Sequence, residues 1–148
     1  MGRSALERPG RTIYRAGMDR SDAELTSAEC WELLARSSVG RLALSIRALP
    51  IILPVRYVVD DASVAISLGR FGMPAATVHD SVVAFAVDHF DEVEDQGWIV
   101  QMQGRARLAL ADSAPVGPGP VDTGQLVRLV PGTVSGHRFS LGTDTPVT

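Results

Sequence analysis

The amino-acid sequence predicts a mostly β protein: an antiparallel barrel of six or seven strands with one or two short helices. Short segments rich in branched apolar residues recur along the chain, and glycine, proline or aspartate bounds each of them. This pattern is typical of short antiparallel strands joined by turns. Only one segment, near residue 26, combines helical spacing with a strong start signal. The chain has 148 residues and no internal repeat, which is the size of one compact domain.

The first predicted element is a helix that begins after residue 25. Thr26 and Glu29 have the spacing of a capping box, in which each side chain accepts a hydrogen bond from the other residue's backbone amide. An apolar stripe that includes Cys30 and Leu34 follows at helical spacing. Residues 37–40 contain two serines and a glycine, and we expect the helix to end there.

The strands follow the helix in order. They are predicted at residues 41–46, 51–59, 64–68, 81–87, 98–110 and 125–130, with a further segment at 134–139. Turns are predicted at 47–50, 60–63 and 131–132, an acidic loop at 88–96, and a second, short helix at 74–79.

Three strands carry additional expectations. Pro54 predicts a local edge or bulge, because proline has no amide for a strand ladder. Gly104 predicts a bulge or a close approach of another chain. The strand at 81–87 is almost continuously apolar, which predicts that both of its faces are covered.

One barrel domain is predicted at residues 24–141. Residues 1–23 are rich in arginine and lack an apolar period, so we expect a flexible N-terminal extension. Residues 111–124 contain three prolines and three glycines and are predicted to form a mobile connection. Residues 142–148 are left as a C-terminal tail.

Charge and composition exclude several classes of protein. The net charge of −3 offers no basic face for nucleic acid, and no apolar run reaches the length of a membrane helix. We therefore expect a cytoplasmic protein that binds neither nucleic acid nor a membrane. All of the basic residues are arginine, so lysine Schiff-base chemistry is excluded and a phosphate must be held by arginine, backbone amides or hydroxyls. Cys30 is the single cysteine, which excludes an internal disulfide.

No catalytic or metal-binding constellation is visible from residue spacing. His79, His89 and His137 lie far apart and lack the spacing of metal ligands. His79 and His89 lie beside predicted loops and are interpreted as solvated surface residues. The acidic run at 91–95 is interpreted as a solvated loop rather than a cation site. No metal site is predicted and no catalytic residue is assigned. An enzyme with its own acid–base machinery is therefore poorly supported.

Four segments in a fixed order carry a family resemblance. They are Gly40-Arg41-Leu42-Ala43, Pro54-Val55 with Tyr57, Val83-Ala84-Phe85, and Gly97-Trp98 with Gly104-Arg105. In this order the chain resembles the pyridoxamine 5'-phosphate oxidase-like family of flavoproteins over residues 25–110, and more weakly over 125–139. The resemblance implies an FMN-binding split β-barrel that forms a homodimer, with FMN or a deazaflavin held between the protomers.

The resemblance also implies the residues of the site. The flavin ring would lie across a strand made of Pro54, Val55, Arg56 and Tyr57. The flavin phosphate would contact Ser67, Leu68, Gly69, Arg70 and Met73. Trp98, Gln101 and Gln103 would approach the ring from the partner protomer. The cofactor would carry the electrons while the protein positions it.

The sequence departs from the family pattern in the phosphate loop. Related chains commonly have Thr-Lys or Ser-Lys where this chain has Gly72-Met73. The change removes charge-assisted hydrogen bonds that contribute about 1.5–3 kcal/mol each. Arg56 and Arg70 are candidates to replace them.

Two functions follow from this departure. The first is a flavin- or deazaflavin-dependent oxidoreductase that acts on an unidentified small molecule. The second is a non-catalytic relative that binds flavin weakly or not at all and serves in ligand sequestration or protein contact. Pyridoxamine phosphate is not expected as the substrate, because its phosphate requires a basic cluster that the sequence lacks.

Overall fold

The computed structural model describes residues 23–68, 75–109 and 126–142, which form six strands and two helices. In chain order the elements are α1 (Ser27–Arg36), β1 (Val39–Ile46), β2 (Leu49–Asp60), β3 (Ser63–Ser67), α2 (Ala75–Val78), β4 (Val82–Asp91), β5 (Gln96–Leu108) and β6 (Leu126–Phe139). The strands pair antiparallel in the closed order β1-β2-β3-β6-β5-β4. The predicted mostly β, six-stranded barrel with two short helices is confirmed.

Helix α1 begins as its sequence predicts. The Thr26 hydroxyl accepts a hydrogen bond from the Glu29 amide at 3.2 Å, and the Glu29 carboxylate accepts one from the Thr26 amide at 3.1 Å. Cys30 and Leu34 form the buried side of the helix. A β-carbon at Gly136 of β6 would lie 2.9 Å from the Cys30 sulfur, so the glycine allows α1 to pack closely on the barrel.

Two-residue turns join the first three strands. Arg47 and Ala48 connect β1 to β2, and Asp61 and Ala62 connect β2 to β3; all four residues have positive φ. Such left-handed pairs match the right-handed twist of a hairpin. The turn predicted at 60–63 is confirmed. The turn predicted at 47–50 is shorter than expected, because β2 already begins at Leu49.

The prediction that β4 is covered on both faces is wrong for this chain by itself. Val83, Phe85 and Val87 are buried, while the residues between them are partly or largely exposed, and Val82 is 66% exposed. The apolar run does not require two covered faces, because alanine and valine also occur on solvent-exposed strand faces. One face of β4 therefore packs in the core and the other lies on the outside of the barrel.

The acidic loop predicted at 88–96 is mostly strand. β4 continues to Asp91 and β5 begins at Gln96, leaving only a tight turn. The Asp91 carboxylate accepts hydrogen bonds from the amides of Val93 and Glu94, and the Asp95 carboxylate accepts them from Leu141 and Gly142. Both aspartates therefore satisfy backbone amides at the ends of strands.

The turn predicted at Pro131-Gly132 is also wrong. β6 runs without a break from Leu126 to Phe139. Gln103 pairs with Thr133 and Gly104 pairs with Pro131, which leaves Gly132 as the extra residue of a β-bulge. This register shift confirms the bulge expected at Gly104. The bulge also accommodates Pro131, whose missing amide would otherwise interrupt the ladder.

The core fills the barrel interior. Its largest fully buried side chains include one from helix α1 and at least one from every strand except β2: Leu34, Leu42, Ile66, Phe85, Met102 and Leu129. Tyr57 supplies the inward ring of β2 and meets Phe85 edge to face, with 5.0 Å between ring centroids.

Several predictions fall outside the described residues. They include most of the N-terminal extension, the loop at 69–74, the connection at 111–124 and the tail after residue 142. Within the described part of the chain, no helix has the length and apolar character needed to cross a membrane.

Candidate functional site

The outer face of four adjacent strands forms the candidate site, which we call the outer platform. Pro54 of β2 pairs with Arg41 of β1, Arg41 pairs with Ala86 of β4, and Ala86 pairs with Gln101 of β5. These residues form one row across the sheet. Strands lie about 4.8 Å apart, so the backbones of Pro54 and Gln101 are about 14 Å apart. Residues predicted for the ring site from both protomers therefore share one face of a single chain.

The neighbouring row has small side chains at its centre. It consists of Ile52, Ala43, Ala84 and Gln103, paired across the same four strands. Alanine projects only a methyl group, so the middle of the platform is flat. Ile52 at one end of this row is 69% exposed, and Val39 beside the first row is 50% exposed. This second row is thus flat and apolar at its centre, and the two rows place Gln101 and Gln103 along the β5 side.

The outer edge of β2 beside the platform has no partner among the described strands. β2 pairs with β3 only from Arg56 to Asp60. The Tyr57 amide donates to Ser38 on the β1 side at 3.0 Å. Because amide direction alternates along a strand, Pro50, Ile52 and Pro54 direct their backbone groups away from β1.

This free edge is chemically simple. Two of its three residues are prolines, which have no amide to donate, so the edge offers three carbonyls and the single amide of Ile52. Among the described strands, Pro54 therefore lies at an edge, as its sequence predicts. Prolines here also protect an exposed strand edge from pairing with another chain.

One cation lies in the two central rows of the platform. The Arg41 side chain is 58% exposed, and its guanidinium donates to the carboxylate of Asp88, whose side chain is 34% exposed. A solvent-exposed pair of this kind contributes at most about 1 kcal/mol to folding stability. The sequence analysis did not assign Arg41, Asp88, Ala84 or Ala86 to the site. The alternation of large and small residues along β1 and β4 is the signal that would have placed them on one outer face.

Three predicted site residues face the barrel interior instead. Val55, Tyr57 and Leu68 are buried. The Tyr57 hydroxyl donates to the carbonyl of Leu34 at 2.6 Å, and burial raises the pKa of Tyr57 to about 12. These side chains hold the barrel together, so a ligand on the platform could meet only the backbone of their strand.

The remaining predicted residues are dispersed. Arg56 is exposed and pairs with the half-buried Ser67 at the end of β3. Trp98 and Gln101 are three residues apart along β5, so their side chains project from opposite faces of the strand. It lines a shallow depression of about 90 Å³ together with Gln96, Gly97, Arg138 and Phe139. The structure therefore does not bring Trp98 and the two glutamines together within one chain.

The predicted phosphate loop cannot be located. Gly69, Arg70, Gly72 and Met73 lie outside the described residues. In the ranges that the structure does describe, histidine, cysteine, aspartate and glutamate do not gather in any group of three that could hold a metal ion. His79 and His89 are exposed, as expected for surface histidines.

Comparison with protein families and solved structures gives one consistent result. The model of the pyridoxamine 5'-phosphate oxidase family matches residues 26–116, which is more than half of the chain. The match includes β1 to β5 and therefore all four strands of the outer platform. No curated protein matches the chain.

Three solved structures illustrate the likeness. A conserved protein of unknown function from Corynebacterium diphtheriae is 27% identical, with a TM-score of 0.63, and the alignment covers 80% of this chain and 98% of that one. The FAD binding protein from Mycobacterium smegmatis is 24% identical, with a TM-score of 0.60 and the same coverage. A FAD-binding protein from Mesorhizobium loti is 21% identical, with a TM-score of 0.61, covering 80% and 99%. The last two likenesses concern the fold.

Proposed function

This chain belongs to the pyridoxamine 5'-phosphate oxidase family, and on that premise we propose that it binds a flavin on its outer platform and acts as an oxidoreductase. FAD-binding proteins of the same fold, from Mycobacterium smegmatis and Mesorhizobium loti, support a flavin as the ligand class. We propose FMN, FAD and a deazaflavin as the forms to be tested. The substrate is a small molecule that remains to be identified by experiment.

The observation that carries the proposal is the flat platform beside a free strand edge. A flavin is a planar ring system whose pyrimidine side presents both hydrogen-bond donors and acceptors. Ala43, Ala84 and Ala86 leave room for a flat ring above the sheet. The free carbonyls and the Ile52 amide at the edge of β2 offer both partner types that such a ring requires. The residues present therefore fit the group.

We further propose that two copies of the chain form the complete site. In one row of the platform, Pro54 and Gln101 are equally distant from the line between β1 and β4. A two-fold axis along that line would place two platforms face to face, with the partner's Gln101 opposite Pro54 and Ala84 opposite Ala43. Such a closed, isologous contact is the commonest way in which identical chains associate.

Burial and volume also favour a two-chain site. Packed sheets lie about 10 Å apart, and facing alanines fill only part of that distance. The remaining gap would accept a planar ring. By contrast, the depression beside Trp98 has a volume of about 90 Å³, well below the roughly 300 Å³ of a typical small-molecule site. A second copy would also cover Ile52 and Val39, which are exposed in one chain.

A bound flavin would supply the two-electron chemistry, and the chain would supply binding and orientation. In this proposal the β2 edge fixes the ring by backbone hydrogen bonds. The two glutamines Gln101 and Gln103 offer amide donors and acceptors from the facing copy. Ala43, Ala84 and Ala86 offer the ring an apolar surface. None of these tasks requires a protein acid or base.

Flavin titration of the purified protein tests the proposal. We expect saturable quenching of FMN or FAD fluorescence by the wild-type chain. Ala86→Trp should abolish it, because an indole fills the flat centre of the platform. Val93→Trp is the matched control, since Val93 is 91% exposed at the tip of the β4–β5 turn, and its affinity should equal that of the wild type.

Two results would contradict the proposal. If Ala86→Trp binds flavin as tightly as the wild type, the ligand lies elsewhere. If the wild-type protein binds none of FMN, FAD and the deazaflavin, the chain is the flavin-free relative that Gly72-Met73 in its phosphate loop would favour.

A further inference from the structure

Arg41 is unusual among the residues that cross the platform. The two central rows contain no other charged residue; they are Pro54, Arg41, Ala86, Gln101 and Ser135, and Ile52, Ala43, Ala84, Gln103 and Thr133. Arg41 lies directly opposite Pro54, in the strand next to the free edge of β2. Arg41 is therefore the only charged residue in these two described rows.

Asp88 pairs with the Arg41 guanidinium but leaves some of its N–H donors unused by described residues. It is the one described hydrogen-bond partner of the Arg41 side chain, whereas a guanidinium has five N–H donors. More than half of the Arg41 side chain stays exposed. Fixing a long side chain costs entropy, and an exposed ion pair returns little stability in exchange. The pair therefore adds little to folding stability and leaves part of the guanidinium available to a ligand.

We propose that Arg41 binds the negative charge of the reduced flavin and that Asp88 moderates its effect. This inference rests on the proposed flavin site. The oxidised ring is neutral, and the addition of two electrons and one proton gives it a net charge of −1. A fixed guanidinium next to the ring stabilises that charge more than the neutral form. The carboxylate of Asp88 opposes the guanidinium, so it reduces the same effect.

The two residues should shift the flavin midpoint potential in opposite directions. Arg41→Gln removes the cation, so it should lower the affinity for reduced flavin about tenfold relative to oxidised flavin. For a two-electron couple this is a decrease of about 30 mV. Asp88→Asn removes the opposing anion and should raise the potential. Arg36→Gln, in the last turn of α1, is the control and should leave the potential unchanged.

The measurement is a reductive titration of the flavin-loaded dimer with dithionite and a reference dye. It uses whichever of FMN and FAD the wild-type protein retains. Equal potentials in all four proteins would overturn the inference while leaving the flavin site intact. Shifts in the same direction for Arg41→Gln and Asp88→Asn would also overturn it, because they would report a change of packing. A wild-type protein that retains no flavin would instead overturn the proposed function.

Discussion

Tyr57 is the residue that links helix α1 to the barrel. Its ring packs against Phe85 inside the barrel, and its hydroxyl donates to the Leu34 carbonyl at 2.6 Å. The sequence analysis assigned Tyr57 to the flavin ring because the family pattern names its strand. Alternation along β2 gives a different role to the side chain, since Val55 and Tyr57 face inward while Pro54 and Arg56 face outward.

A pH prediction follows from the buried Tyr57 hydroxyl. Burial raises its pKa to about 12 in the folded protein, against about 10 in the unfolded chain. The folded state therefore favours the protonated phenol. Its stabilising effect is complete below pH 10 and is lost as the pH rises towards 12, by up to about 2 kcal/mol. Tyr57→Phe should remove this loss, as measured by urea unfolding between pH 8 and about 11.5.

The composition of the chain makes that experiment interpretable. There is no lysine to titrate in the same range. Burial also raises the pKa of the Cys30 thiol, but Cys30 is present in both proteins, so its contribution cancels in the comparison. An identical loss of stability in the wild type and Tyr57→Phe would show that Tyr57 ionises without cost to the fold.

At the scale of elements, the packing of β1 depends on a glycine. A β-carbon at Gly40 would lie 2.4 Å from the Phe85 ring and 3.0 Å from the carbonyl of Ala86. Gly40→Ala should therefore destabilise the barrel by about 1–3 kcal/mol. Gly132→Ala is the matched control, because a β-carbon at that bulge position approaches nothing closer than 3.8 Å. Equal urea midpoints for the two variants would show that the Phe85 ring moves aside at no cost.

Elements were predictable where the signal is local. The capping box at Thr26 and Glu29 marks the start of α1, because both hydrogen bonds form within three residues. The course of β6 was not predictable in the same way. Pro131 breaks a strand by its own preference, and only the pairing with Gly104 on β5 turns that break into a bulge. The exposed face of β4 likewise depends on which strands lie beside it.

At the scale of the whole molecule, the sequence predicted the barrel and part of the platform. Pro54, Gln101 and Gln103 were named and share the outer face. Arg41 and Asp88 were missed because they are 47 residues apart along the chain, and they meet only where β1 pairs with β4. Trp98 was grouped with the glutamines, yet strand alternation turns it to the opposite face of β5.

The central proposal is that flavin is held between the outer platforms of two copies of this chain. Sedimentation of the flavin-loaded protein, followed by both protein absorbance and the visible flavin band, tests it most directly. We expect the flavin band to sediment with a species of twice the chain mass, and Ala86→Trp to remove the flavin band from that boundary. A flavin band that sediments with a single chain, or only as free flavin, would contradict the claim.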